Sequence, residues 1–134
     1  MKNSNVAKYM LSIGLVLAYS MGFAQADIIN DVKEAIKLGS SKEIVKYLNT
    51  NVDITIDGNL DSYSRTQAEF VLKEFFRKNP PSSFTIVHQG ASKGGSPYAT
   101  GQYASTNQNV YLVWVRIKKI NDKFLIHEMS FIKE

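Results

Sequence analysis

Apolar residues recur mostly at helical spacing as far as Asn79 and alternate with polar ones after Pro81. Ile28, Val32 and Ile36, with Ile29 beside them, predict a helix capped by Asp27 and ended by Gly39. Ser40 and Glu43 have capping-box spacing, which predicts a second short helix through Ile44, Val45 and Leu48 to Asn49. In NVDITID, Val52, Ile54 and Ile56 alternate with Asp53, Thr55 and Asp57, the pattern of a strand with one buried face. Asp57-Gly58-Asn59 is turn chemistry, followed by a short strand over residues 60–63.

Ser64 and Gln67 form a second capping box ahead of Ala68, Val71, Leu72 and Phe75, and Phe70 and Phe76 widen the apolar stripe. Asn79-Pro80-Pro81 ends this long helix, because proline cannot continue one and disfavours helical geometry before it. Strands are then predicted over 83–91, 97–106, 109–118 and 123–133, separated by turns at Lys93-Gly94-Gly95-Ser96, Asn107-Gln108 and Asn121-Asp122. Turns this short make the four strands antiparallel neighbours, since a parallel crossover needs a dozen residues or more. The order α-α-β-β-α-β-β-β-β is that of an α+β domain, a curved and mainly antiparallel sheet with helices on one face.

The first 26 residues stand apart from this pattern. Lys2 and Lys8 precede an apolar run from Tyr9 to Phe23, and Ala24-Gln25-Ala26 follows. A basic start, a short apolar core and an A-x-A site predict a secretory signal peptide cut before Asp27. The run is shorter than the ~20 residues of a spanning helix, and with no cysteine there is no lipid anchor to add. The expected product is one exported domain, 27–134, periplasmic or secreted and away from the membrane after cleavage. Losing Lys2 and Lys8 lowers the formal net charge from +4 to +2. The remaining lysines are scattered, and the densest spot, Lys118-Lys119, lies beside a turn, so nucleic acid is not an expected partner. Without cysteine there is no disulfide, thiolate metal site or thiol nucleophile, and the hydrophobic core alone must hold the domain.

Candidates for chemistry are few. Gly90 and Gly95 have the separation of a phosphate-binding loop, but Ser96 and Pro97 stand where it needs lysine and Ser/Thr, and a strand pattern follows. No βαβ unit surrounds these glycines, so no dinucleotide cofactor is implied. Gly94-Gly95 instead suits a tight hairpin. His127 and Glu128 are strand neighbours expected to point to opposite faces, and HEMSF lacks the second histidine of H-E-x-x-H, so no metal site is assigned. No G-x-S-x-G occurs, and the spacing of Asp53, Asp57 and Asp61 is not that of a calcium loop.

The aromatic residues carry more. In NVYLVWVRIKK, Val110, Leu112, Trp114 and Arg116 share one face and Tyr111, Val113, Val115 and Ile117 the other. Both faces are largely apolar, as in a strand covered on both sides. With helices on one side only, the Trp114 face calls for a second cover or a cavity. Homodimerisation is the expected cover, because large apolar patches usually mark contacts.

The helix ending in FFRKNPP, the segment from Tyr98 to Tyr103 with Gly101, and the final strands ending in FLIHEMSFIKE together resemble the nuclear transport factor 2-like, or cystatin-like, fold, and in particular its small exported bacterial members of uncharacterised function. The resemblance spans residues 27–134. It implies a cone in which a curved sheet wraps the long helix, often with a pocket at the open end and often as a homodimer. The superfamily includes isomerases that use a pocket carboxylate and a tyrosine-acid oxyanion hole. No catalytic residue of that kind can be carried onto this chain. Asp57 reads more simply as a turn, and Tyr98 and Tyr103 fall on opposite faces by parity.

Two functions follow as expectations. One is a non-catalytic exported domain that binds a small apolar ligand or a protein partner and dimerises. The other is a pocket enzyme of isomerase or dehydratase type, with His88 or Asp57 as its base. The candidate pocket or interface residues are Asp57, Phe75, His88, Tyr103 and Trp114. A cone filled by aromatic side chains would speak against the enzyme, and a deep cavity holding His88 or Asp57 would speak for it.

Overall fold

The computed structural model describes residues 28–134. The expected leader, residues 1–26, and the Asp27 cap lie outside the described residues. Helix α1 occupies residues 28–38 and stops where Gly39 turns to a positive φ of 64°. Ser40 caps α2, Ser41–Val45, by accepting a hydrogen bond from the Glu43 amide at 3.2 Å. This helix is shorter than its apolar spacing predicts. It ends at Val45, and Leu48, expected on it, instead opens strand β1, Leu48–Ile56. The strand can begin early because Leu48 pairs with Ile126 across the sheet, and that contact outweighs the weak preference of a five-residue helix.

A hairpin turn at Asp57 and Gly58, with φ of 52° and 82°, leads into β2, Asn59–Ser64. Ser64 then caps α3, Arg65–Lys78, in a complete capping box with Gln67. Four strands follow: β3, Pro81–Ala91; β4, Pro97–Ser105; β5, Val110–Ile120; and β6, Lys123–Lys133. All four are antiparallel to their sequence neighbours, as the short turns require. The six strands form one sheet in the order β2-β1-β6-β5-β4-β3, with β1 running parallel to β6.

The helices cover one face of this sheet. Ile36 from α1, Ile44 from α2, and Leu72, Phe75 and Phe76 from α3 are buried against Val113, Val115, Ile117, Met129 and Phe131 from the sheet. Phe70, assigned to the same apolar stripe from its spacing, is instead 67% exposed. It lies two residues past Ala68, which turns it away from the sheet.

Strand β5 shows the two-sided character expected of it. Tyr111, Val113, Val115 and Ile117 are buried beneath the helices, while Leu112 and Trp114 are half-buried on the opposite, outer face.

Candidate functional site

The five candidate residues divide between the inside of the cone, its outer face and a turn. Phe75 and Tyr103 meet inside, their ring centroids 5.6 Å apart. Phe131 lies 4.3 Å from Phe75, and Tyr111 lies 5.0 Å from it. These rings fill the space between α3 and the sheet. Asp57 is exposed at the β1–β2 turn, and His88 is exposed on β3. Neither expected base therefore sits in a water-excluded cavity.

The polar groups inside are committed to holding the chain after α3. Asn79, at the end of that helix and 7% exposed, is the hub. The Tyr103 hydroxyl donates to its carbonyl. Its side-chain Oδ1 accepts from Asn109 Nδ2 at 3.0 Å and from the Tyr111 hydroxyl at 3.4 Å. Burial pushes the Tyr103 phenol above the usual tyrosine range, with the neighbouring Tyr111 adding to the shift. A neutral phenol donating to a backbone carbonyl is a strut, and it has no proton to spare for a substrate.

The outer face holds a different set. Trp114 and Tyr98 stack there, with centroids 6.0 Å apart and planes 23° from parallel. Cross-strand pairing produces the contact: Thr100 is opposite Trp114, and Tyr98 is opposite Arg116. On the far side Tyr98 faces Gly90, where a Cβ would lie 3.1 Å from the tyrosine oxygen, so glycine leaves the ring its room. His88 Nε2 and the Tyr98 hydroxyl are 2.9 Å apart, which fixes the ring's tip. The Arg116 guanidinium lies over Trp114, 5.5 Å from the ring centroid.

His127 joins this set through an irregularity. The β5–β6 register shifts between Arg116, opposite Glu128, and Ile117, opposite Ile126, so His127 is the extra residue of a β-bulge. The expectation that His127 and Glu128 point to opposite faces fails here, because alternation does not survive a bulge. Glu128 approaches Arg116 on the outer face, Oε2 to Nε at 3.7 Å, and His127 borders the same hollow as Arg116. Burial lowers the His127 pKa, Lys118 and Arg116 lower it further, and Glu128 and Asp53 oppose them.

The hollow has a volume of about 250 Å³. Tyr98 and Trp114 form its aromatic wall, Arg116, Lys118 and His127 its basic one, and the β3–β4 loop closes an end. That loop is the glycine-rich stretch of the sequence, and it is a hairpin turn. Gly94 and Gly95 have φ of 93° and 83°, the Gly95 amide donates to the Ser92 carbonyl at 2.9 Å, and the Ser92 amide donates to the Ser96 carbonyl at 2.9 Å. Alternation in the sequence does place Trp114 and Arg116 together, and the short turns make β4, β5 and β6 neighbours, but the bulge that brings in His127 has no local signature. Among the described residues, no group of three or more His, Cys, Asp or Glu side chains is arranged to hold a metal ion.

Residues 29–131 match the model of a family described as "Domain of unknown function (DUF4783)". A DUF4783 family protein of known structure from Bacteroides ovatus ATCC 8483 is 33% identical, with a TM-score of 0.73 over 78% of this chain and 93% of its own. Another, from Bacteroides fragilis YCH46, is 28% identical, with a TM-score of 0.72 over 78% of this chain and 96% of its own. An NTF2-like protein of unknown function from Shewanella baltica OS155 is only 13% identical, yet reaches a TM-score of 0.64 over 87% of this chain and 95% of its own. That likeness is one of fold, and it bears out the nuclear transport factor 2-like architecture expected from the sequence. No curated protein matches this chain.

Proposed function

From the premise that this chain belongs to the DUF4783 family, whose fold does not by itself choose a function, we propose that it is an exported, non-catalytic binding domain that works through the outer face of its sheet and pairs there with a second copy. One observation carries the reading. The central strand β5 turns Leu112 and Trp114 outward onto a face that no described helix covers, beside Ile132, which is 47% exposed. Leu112 and Ile132 are cross-strand partners, so they form one continuous apolar patch. A patch of this kind, with the polar row Arg116, Glu128 and Asp53 at one end, is the form expected of a protein contact. A two-fold axis through it would set the same residues against each other in both subunits.

The filled interior supports the non-catalytic half of the reading, because an acid–base enzyme of the isomerase type needs a dry cavity around its base. The export half rests on the leader pattern and its A-x-A site.

Native mass spectrometry of the protein expressed in an exporting bacterium tests the pairing and the export. The expected species is a dimer of chains that begin at Asp27, and Leu112→Glu should reduce it to a monomer with an unchanged far-ultraviolet circular dichroism spectrum. A wild-type monomer at micromolar concentrations would overturn the pairing, and a retained leader would overturn the export.

A further inference from the structure

We propose that the hollow beside Trp114 is a binding site for a small carboxylate carried on a six-membered ring. The inference rests on the reading of the outer face as the working surface, and it replaces the apolar ligand expected from the sequence with a charged one. Its walls supply two complementary halves. Tyr98 and Trp114 present two stacked rings, their planes 23° from parallel, an aromatic wall against which a flat or ring-shaped ligand can pack. Arg116 and Lys118 supply positive charge beside it.

Neither cation is held by a hydrogen-bonded acid. The 3.7 Å from Arg116 to Glu128 is too long for a hydrogen bond, and Lys118 has no acidic partner among the described residues. Arginine's planar fork suits a carboxylate, which it can meet with two parallel bonds. His127 adds an independent sign of an unfilled polar requirement. Its Nδ1 is buried without a hydrogen-bond partner, the one such side-chain atom found among the described residues. Buried polar atoms are ordinarily paired. At about 250 Å³ the hollow holds one ring with its substituent and no more.

Two sources share this chemistry, an aromatic acid and a uronic acid. Titrating the 27–134 chain with sodium benzoate and with sodium glucuronate, at constant ionic strength, separates them. Benzamide and methyl glucoside serve as the neutral controls. Trp114 is the only tryptophan in the chain, so its indole N–H gives one assigned nuclear magnetic resonance signal inside the site.

A saturable shift of that signal with one or both acids, and none with the neutral controls, is the expected result. So small a ligand should bind with a dissociation constant on the order of millimolar. Arg116→Gln should weaken binding by about tenfold or more. Glu128→Gln should tighten it, because it removes the carboxylate 3.7 Å from Arg116. The same titration on Leu112→Glu keeps this inference apart from the pairing, since the hollow does not include Leu112. No saturable shift with either acid, an equal shift with the neutral controls, or Arg116→Gln binding as wild type would overturn the proposal.

Discussion

Gly101 offers a direct test of how tightly the cone is packed. A Cβ at this position would lie 2.4 Å from Cζ and 2.5 Å from Cε1 of Phe84, and 3.0 Å from the Thr85 carbonyl oxygen. Carbon atoms do not pack that closely, so Gly101→Ala must displace the phenylalanine ring. Phe84 is 4% exposed and belongs to the core cluster, so displacing its ring disturbs the packing around it. Overpacking of a filled core costs about 1–3 kcal/mol. Losing a phenylalanine ring from a core costs about 3–5 kcal/mol, which bounds the damage if the ring is expelled. The carbonyl contact cannot be relieved by rotating a side chain, which places the expected loss near the top of the first range, about 2–3 kcal/mol. At roughly 4–8 °C of Tm per kcal/mol, the midpoint should fall by about 10–20 °C. Urea unfolding followed by Trp114 fluorescence and circular dichroism together measures it. Phe84→Leu removes the clashing atoms, so in that background Gly101→Ala should cost at least about 1 kcal/mol less. A loss below ~0.5 kcal/mol, or two substitutions that simply add, would falsify the reasoning.

Two further outcomes are expected. Asn79→Ala deprives Tyr111 and Asn109 of their acceptor and should cost about 1–3 kcal/mol in urea unfolding, whereas a change confined to the noise would remove Asn79 from the centre of its network. His127 has a folded-state pKa below its unfolded one, so the unfolded chain binds the extra proton in the window between the two. Stability is therefore full above the unfolded value near 6.5 and is lost as the pH falls through the folded pKa. His127→Gln should flatten that part of the stability-against-pH curve, and an identical slope in the variant would show that the imidazole does not carry it.

Much of the architecture can be read from local chemistry. Ser40 and Ser64 cap their helices where they are predicted to, Ser64 in a complete box with Gln67 and Ser40 through its side chain alone, and the last four strands match their alternation to within two residues at each end. What cannot be read this way depends on partners far away in sequence. The strand at Leu48 forms because Ile126 lies beside it, although the local spacing favours helix. Alternation assigns Tyr98 and Tyr103 correctly to opposite faces of β4, yet it fails at His127, where one inserted residue resets the parity of β6. The enclosed Phe75–Tyr103 pair and the half-buried, outward-facing Trp114–Tyr98 pair look alike as aromatic residues in a sequence. What separates core from surface is which face of the sheet the helices cover.

The parallel pairing of β1 with β6 also sets when this domain can exist at all. It joins the β1–β2 hairpin to the other four strands, and one side of that junction is the last strand of the sheet to be made. Ile54 and Ile56 find their sheet neighbours, Met129 and Phe131, only after nearly the whole domain has been delivered. In a chain emerging from its N-terminal end, whether from a ribosome or across a membrane, the sheet therefore stays in two unconnected pieces until residues 123–133 arrive. Closing so long a loop delays folding, because its entropy is lost before any contact repays it. The domain assembles as a single late event, and until then the chain remains threadable.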